Sequence, residues 1–398
     1  MKRILLVSPP FSGHLNVLKL LASQYADVYD FSLAITGWKN IEPDFSGFDG
    51  EVDLLAKQEL DTADPAMWTF SRMNELIPDL RNVVDRIRPD LIVYDFFSLE
   101  GYCVGKEKGI TVWCSIPAFL GPNDNQTYLE HKFAFSENQE AWNQLQRTTD
   151  TLRSLSQIEM ISDGFHLPGD VNLVWSYESL IPKNYQEGRA NAPYVFLGSL
   201  TKSSNLRIAT KRPVVYVSFG TVVMDNLWNH HKDIQMNLLA FFQMLAELWS
   251  DAEFDVVCVT RGKPILQQAP SNWRLVAHAN QLEELAYATI FVTHGGSNSF
   301  HESLVSGVPM VVVPFFGDQI LVAKQVEALQ IGTSLVQQDS IDTGNAGTQL
   351  SAHTAVRVDQ AVKKILADVS EYKRHIEMTD LHATSFPKVI EEFFHREI

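Results

Sequence analysis

Short apolar runs alternate along this chain with stretches in which apolar residues recur every three or four positions. Residues 4–7, ILLV, form a continuous apolar run, the pattern of a strand buried on both faces. Leu15, Leu18, Leu21, Ala22 and Tyr25 then recur at helical spacing, and residues 31–35 predict a second strand. Residues 76–87, LIPDLRNVVDRI, predict a helix that leads through Pro89 into a strand, DLIVYD (90–95). A short helical stretch separates it from another strand, ITVWCSIP (110–117). Strands alternating with helices imply a parallel sheet covered by helices on both faces.

The pattern loosens between about residues 121 and 162, where aromatic and polar residues mix with helical hints. Such a stretch is either an insertion that carries ligand specificity or an ordinary surface helix. Residues 200–213, LTKSSNLRIATKRP, are polar, lack periodicity and end in proline, as a linker does. The alternation then restarts. VVYVSF (214–219), FDVVCVT (254–260), NWRLVAHA (272–279), TIFVTH (289–294) and VPMVVVPF (308–315) predict strands. Helices are expected at 234–249, at QLEELAYA (281–288), through Glu302, from Asp318 to about Leu329, and from Val356 onward. The expected fold is α/β, two doubly wound parallel-sheet, Rossmann-like domains facing across a cleft, residues 1–205 and 206–382.

Composition narrows the function classes. The 398 residues suit two domains, and the net charge of −16 argues against nucleic acid or an anionic membrane as a main partner. It leaves room for an anionic ligand held by backbone amides. Cys103, Cys114 and Cys258 lie in apolar runs and read as reduced core residues, with no C-x-x-C pair to suggest zinc. The apolar run at residues 4–7 is too short for a signal-peptide core, and no window offers about 18 uninterrupted apolar residues. A cytoplasmic protein without stable membrane insertion is the expectation.

In open parallel sheets ligands bind at the carboxyl ends of strands, so the loops after strands carry the chemistry. SPPFSGHLN (8–16) follows the first strand, with Gly13 permitting close backbone approach and His14 where a helix begins. Asp95 ends DLIVYD and either caps the next helix or pairs with His14. A histidine and an aspartate on one sheet edge suggest a dyad. Imidazole can accept a proton, and a carboxylate can fix its tautomer and stabilise the imidazolium. SFGT (218–221) opens the second half. In FVTHGGSNSFHES (291–303), His294 ends a strand, Gly295 and Gly296 make the turn, and Ser297, Asn298 and Ser299 open a helix. A helix N-terminus suits a diphosphate, and Asn298 or Ser299 could equally cap the helix. Asp318 and Gln319 either cap a helix or bond to a hydroxyl-rich ligand.

Other motifs are missing: neither G-x-x-x-x-G-K-[ST] nor G-x-G-x-x-G occurs. Val305 stands where H-E-x-x-H needs histidine, GGSNS is not G-x-S-x-G, and the adjacent His230 and His231 read as a solvated loop.

Taken in order, these loops resemble those of the family 1 glycosyltransferases with the two-domain GT-B fold. HANQLEELAYATIFVTHGGSNSFHESLVSGVPMVVVPFFGDQ (278–319) is similar to the family's donor-binding signature, and SGHLN and YVSFGT support it independently. The resemblance covers most of the chain, except the middle of the first half. It implies that His14 is the general base, with Asp95 behind it. His294, Asn298 and Ser299 would hold a diphosphate, with Gly296 in the same turn. Glu302 would accept from ribose hydroxyls, and Asp318 and Gln319 would contact the sugar. Ala279 and Gln281 would frame the base, and Ser218 and Thr221 would line the donor site. The C-terminal helix, about 383–398, would cross back onto the first domain. Two departures stand out: His278 where an aromatic, commonly tryptophan, is frequent, and Ser297 where plant members carry tryptophan near the sugar.

The implied activity is inverting transfer of a sugar, glucose first, from a nucleoside diphosphate to a hydroxyl of a small hydrophobic polyketide, macrolide or phenolic. UDP is the first donor expectation and a deoxythymidine diphosphate the second. No Asp-x-Asp pair is placed to hold a metal ion, so no metal and no further cofactor are expected. The alternatives are a nucleotide-sugar epimerase of the same fold and a non-catalytic donor-binding auxiliary protein.

Overall fold

The apolar run at residues 4–7 lies inside the central strand of a seven-stranded sheet in the structure, a computed structural model. The structure describes residues 1–38, 43–58, 65–121, 168–186, 192–200, 208–315, 317–336 and 350–394. The strands are β1 (Lys2–Ser8), β2 (Tyr29–Trp38), β3 (Glu51–Gln58), β4 (Leu91–Asp95), β5 (Thr111–Ile116), β6 (Val171–Val174) and β7 (Tyr194–Phe196). Their order is β3-β2-β1-β4-β5-β6-β7, every pair parallel. Helix α1 (Ser12–Tyr25) buries Leu15, Val17, Leu18, Leu21 and Ala22. Helices α2 (Pro65–Ile87) and α3 (Leu99–Lys108) complete the described helices around β1 to β5. A Cβ on Gly101 of α3 would stand 2.6 Å from Tyr94 Cβ, so only glycine lets α3 lie this close to β4, next to Asp95.

A second sheet has six parallel strands: β8 (Val214–Ser218), β9 (Asp255–Val259), β10 (Trp273–Val276), β11 (Ile290–Thr293), β12 (Met310–Val312) and β13 (Gly332–Ser334). Their order is β10-β9-β8-β11-β12-β13. Around it stand α4 (Lys232–Trp249), α5 (Gln281–Tyr287), α6 (Ser297–Val305), α7 (Asp318–Ala328), α8 (Ala352–Ala367) and α9 (Val369–Glu377). The chain forms two units, Met1–Leu200 with His382–Ile398, and Thr201–Leu381. In the first, Phe386 from the returning C-terminal segment packs edge-on against Tyr29 and Trp113.

Several local expectations change. Strands β3, β6, β7 and β13 were not predicted, and α2 starts well before residue 76, with Pro78 inside it. The C-terminal helix expected from Val356 onward is broken. Residues 378–385 are not helical, and a turn of α-helix (Phe386–Val389) and a π-helical turn (Ile390–Phe394) follow. The loosened stretch lies outside the described residues apart from residue 121, as do residues 201–207 of the linker. Its residues 208–213 form neither helix nor strand.

In each sheet the strand order reverses beside the first strand, between β1 and β4 and between β8 and β11. These are the points where ligands bind in such sheets.

Candidate active site

The first unit brings His14 and Asp95 together at its switch point. β1 ends at Ser8 and α1 begins at Ser12, so His14 falls in the first helical turn. Its Nδ1 lies 2.9 Å from Asp95 Oδ1 and 3.0 Å from Oδ2. Asp95 is fully buried at the end of β4, while the His14 side chain keeps 18% exposure. The Phe97 amide donates to Asp95 Oδ1 over 2.9 Å, which fixes the carboxyl's rotation. Ser98 rather than Asp95 is the N-cap of α3, so the capping alternative for Asp95 falls away. A carboxylate accepts hydrogen bonds, so Nδ1 carries the proton and Nε2 of the neutral ring keeps its lone pair.

Among the described residues, three aromatic rings pack against this imidazole. Phe96 and Phe97 stack on it with centroids 5.4 and 4.9 Å away, and Phe11 meets it edge-on at 5.8 Å. None of the three stands out in the sequence by residue type, although Phe96 and Phe97 directly follow Asp95. Aromatic residues adjoining a strand-end acid were the available signal.

The second unit builds another cluster at the carboxyl ends of β8, β11 and β12. β11 ends at Thr293, and Gly295, at φ 84°, turns the chain into α6. The N-cap is Gly296, which bonds through no side chain. Asn298 and Ser299 therefore lie inside the first turn, and neither caps the helix. The His294 ring sits against Gly220 and Gly296, where a Cβ would come within 2.7 and 2.6 Å of it. Burial pushes its pKa down to about 4, against a bond to the Ser218 backbone that raises it. His294 is therefore neutral at ordinary pH. Ser297 is buried, and its hydroxyl finds no partner among the described residues.

Gln281 opens α5 and joins it to α6. Its amide donates to Ser299 Oγ over 3.0 Å and to Glu302 Oε2 over 2.5 Å. Burial raises the Glu302 pKa, and the Gln281 bond opposes that rise. Ala279 is half-buried before α5, and His278 beside it is exposed. Ser218 is buried at the end of β8, and Thr221 is half-buried just after it. Asp318 and Gln319 begin α7, whose N-cap is Gly317, so neither caps it. Gln319 is buried, and its side-chain carbonyl accepts from the Phe315 amide over 2.8 Å, which holds the loop after β12.

Away from this cluster, His230 closes a helical turn, Trp228–His230, rather than lying in a loop, and His231 is exposed. All three cysteines are buried thiols outside any disulfide. Among the described residues no group of His, Cys, Asp and Glu gathers as a metal site would, and no helix is long and apolar enough to cross a membrane.

A family model of UDP-glucoronosyl and UDP-glucosyl transferases matches residues 123–384. The chain belongs to this family. Among similar glycosyltransferases, the NDP-glycosyltransferase YjiC of Bacillus licheniformis is 26% identical over 410 residues, spanning 94% of this chain and 93% of its own. Two solved structures share the GT-B fold. The calicheamicin glycosyltransferase CalG4 has a TM-score of 0.72 and 19% identity over 98% of this chain and 97% of its own. Medicago truncatula UGT71G1, complexed with UDP-glucose, has a TM-score of 0.69 and 14% identity over 95% and 93%. This chain is thus a GT-B glycosyltransferase, with its His14–Asp95 pair in one unit and its α6 cluster in the other.

Proposed function

We propose that this glycosyltransferase moves a sugar, glucose first, from UDP to a hydroxyl of a small hydrophobic natural product, with inversion at the anomeric carbon and without a metal ion. The observation that carries the reading is the His14–Asp95 bond, which leaves Nε2 as a free proton acceptor. The acceptor O–H proton passes to Nε2, and the oxygen's electron pair forms the new bond to the anomeric carbon. The bond to the diphosphate oxygen breaks, and the nucleoside diphosphate leaves with that pair. Asp95 holds the tautomer and compensates the positive charge that develops on His14.

The amides at the start of α6 would meet the leaving charge, helped by Asn298, Ser299 and His294 as a neutral hydrogen-bonding ring. Glu302, oriented by Gln281, would accept from the ribose. Ala279, His278, Ser218, Thr221 and Gly296 would border the nucleotide, and Ser297, Asp318 and Gln319 the sugar. UDP is favoured by the family's name and by the UDP-glucose held in the Medicago relative. The calicheamicin enzyme supports a natural-product acceptor.

The test is incubation with UDP-glucose or deoxythymidine diphosphate glucose, with and without a panel of phenols and polyketides and in the presence of a chelator. Product is read by mass and its anomeric configuration by NMR. A β-glucoside formed with chelator present is the expected result. A rearranged sugar released without acceptor would mark an epimerase, and donor binding without product an auxiliary protein. His14→Ala should keep donor affinity and lose roughly 10²–10⁴ in turnover.

A further inference from the structure

We infer that Phe97 is a positioning residue for His14, clamping both members of the pair from one loop position; the inference rests on the proposed base role of His14. Its amide donates to Asp95 Oδ1 over 2.9 Å, and its ring stacks on the imidazole with a 4.9 Å centroid separation and a 21° interplanar angle. The Nδ1 contact, though shared between both Asp95 oxygens at 2.9 and 3.0 Å, pins one atom of the imidazole and leaves the tilt of the ring plane to its aromatic neighbours. A ring stacked on its face fixes that tilt and holds Nε2 in one direction. Phe96 stacks as well, but it is buried in the core, whereas Phe97 is only half-buried. Phe97 also packs on Phe96, with centroids 4.2 Å apart, so the variants below keep an apolar side chain at that contact. Stacking also places an aromatic face against the ring that becomes a cation when His14 takes the acceptor's proton, an interaction favourable at this distance.

The test compares Phe97→Leu and Phe97→Tyr in the full chain, with Phe97→Met as a second ring-deleting variant of similar volume in case leucine fails to fold. Two acceptors are used: an aliphatic alcohol, which needs a base, and a nitrophenol already ionised at assay pH. Ring loss should lower kcat on the alcohol roughly five- to twenty-fold. It should leave the nitrophenol within about twofold, donor affinity unchanged by calorimetry, and KM for the alcohol little altered. Phe97→Tyr should restore the alcohol rate. Equal losses on both acceptors, no loss in the leucine and methionine variants, or failure of tyrosine to rescue would overturn the inference. His14→Ala separates the two claims. If it too leaves the alcohol rate intact, the base assignment has failed. If it abolishes that rate while Phe97→Leu does not, only the role of Phe97 has failed.

Discussion

At the residue scale, the Gln281 amide donates to Glu302 and orients its carboxyl. A contact to a bound ribose is present before and during the transition state, so its loss weakens binding more than saturated turnover. Glu302→Ala should cost about 1.5–3 kcal/mol of UDP affinity, the worth of a hydrogen bond to a charged group. Unchanged affinity by calorimetry would remove Glu302 from the nucleotide. His301, its neighbour, predicts a pH effect. Burial pushes its pKa down to about 4, against a hydrogen bond to the Ser297 backbone, whereas an unfolded histidine titrates near 6.5. As pH falls from 6.5 toward 4, the unfolded chain takes up a proton that the folded chain refuses. Stability is therefore lost across that window and no further from this source below it. His301→Gln keeps a donor for the Ser297 carbonyl and removes the titration. Its urea midpoint should fall less than the wild type's between pH 6.5 and 4, and parallel curves would mean that His301 is protonated in the fold. His14 and Asp95 stand out in the sequence because polar residues at strand ends and helix starts are conspicuous, and Glu302 through the resemblance of residues 278–319 to the donor-binding signature. Phe97 and His301 do not, because stacking and burial depend on neighbours distant in sequence.

At the element scale, the turn from β11 into α6 decides where the helix N-terminus points. Gly295 sits at φ 84°, and a Cβ there would meet Val312 Cγ1 at 2.6 Å. Gly295→Ala therefore adds backbone strain to a steric clash with β12. It should destabilise the second unit by about 1–3 kcal/mol and weaken UDP binding as the turn shifts. Wild-type protection of α6 in hydrogen exchange would contradict this. The central strands were legible because each is a continuous apolar run buried on both faces. β3 was not, since it is an edge strand reading EVDLLAKQ, with Glu51 and Leu54 exposed. β7 and β13 have three residues each, too few for a period to register.

At the scale of the whole molecule, the chain leaves its first unit at Leu200 and returns to it at His382. The returning segment supplies core, since Phe386, Val389 and Ile390 are buried among Leu18, Tyr29, Phe31 and Trp113. The Thr384 amide also donates to the Phe196 carbonyl over 2.9 Å, extending the bonding at β7. The first unit is therefore unfinished until residues near the C-terminus are in place, although its sheet is complete by residue 196. Phe386→Ala removes a ring that touches Tyr25, Tyr29 and Trp113. A buried Phe→Ala change costs about 3–5 kcal/mol. That loss belongs to the unit containing His14 rather than to the unit that precedes Phe386 in the chain. Hydrogen exchange should show protection falling in β1, β2 and β5 and holding in β8, β11 and β12. UDP affinity should survive while turnover falls at temperatures the wild type tolerates. If exchange instead rises first in β8 to β12, the C-terminal segment stabilises the second unit, and its packing against Tyr29 and Trp113 contributes little.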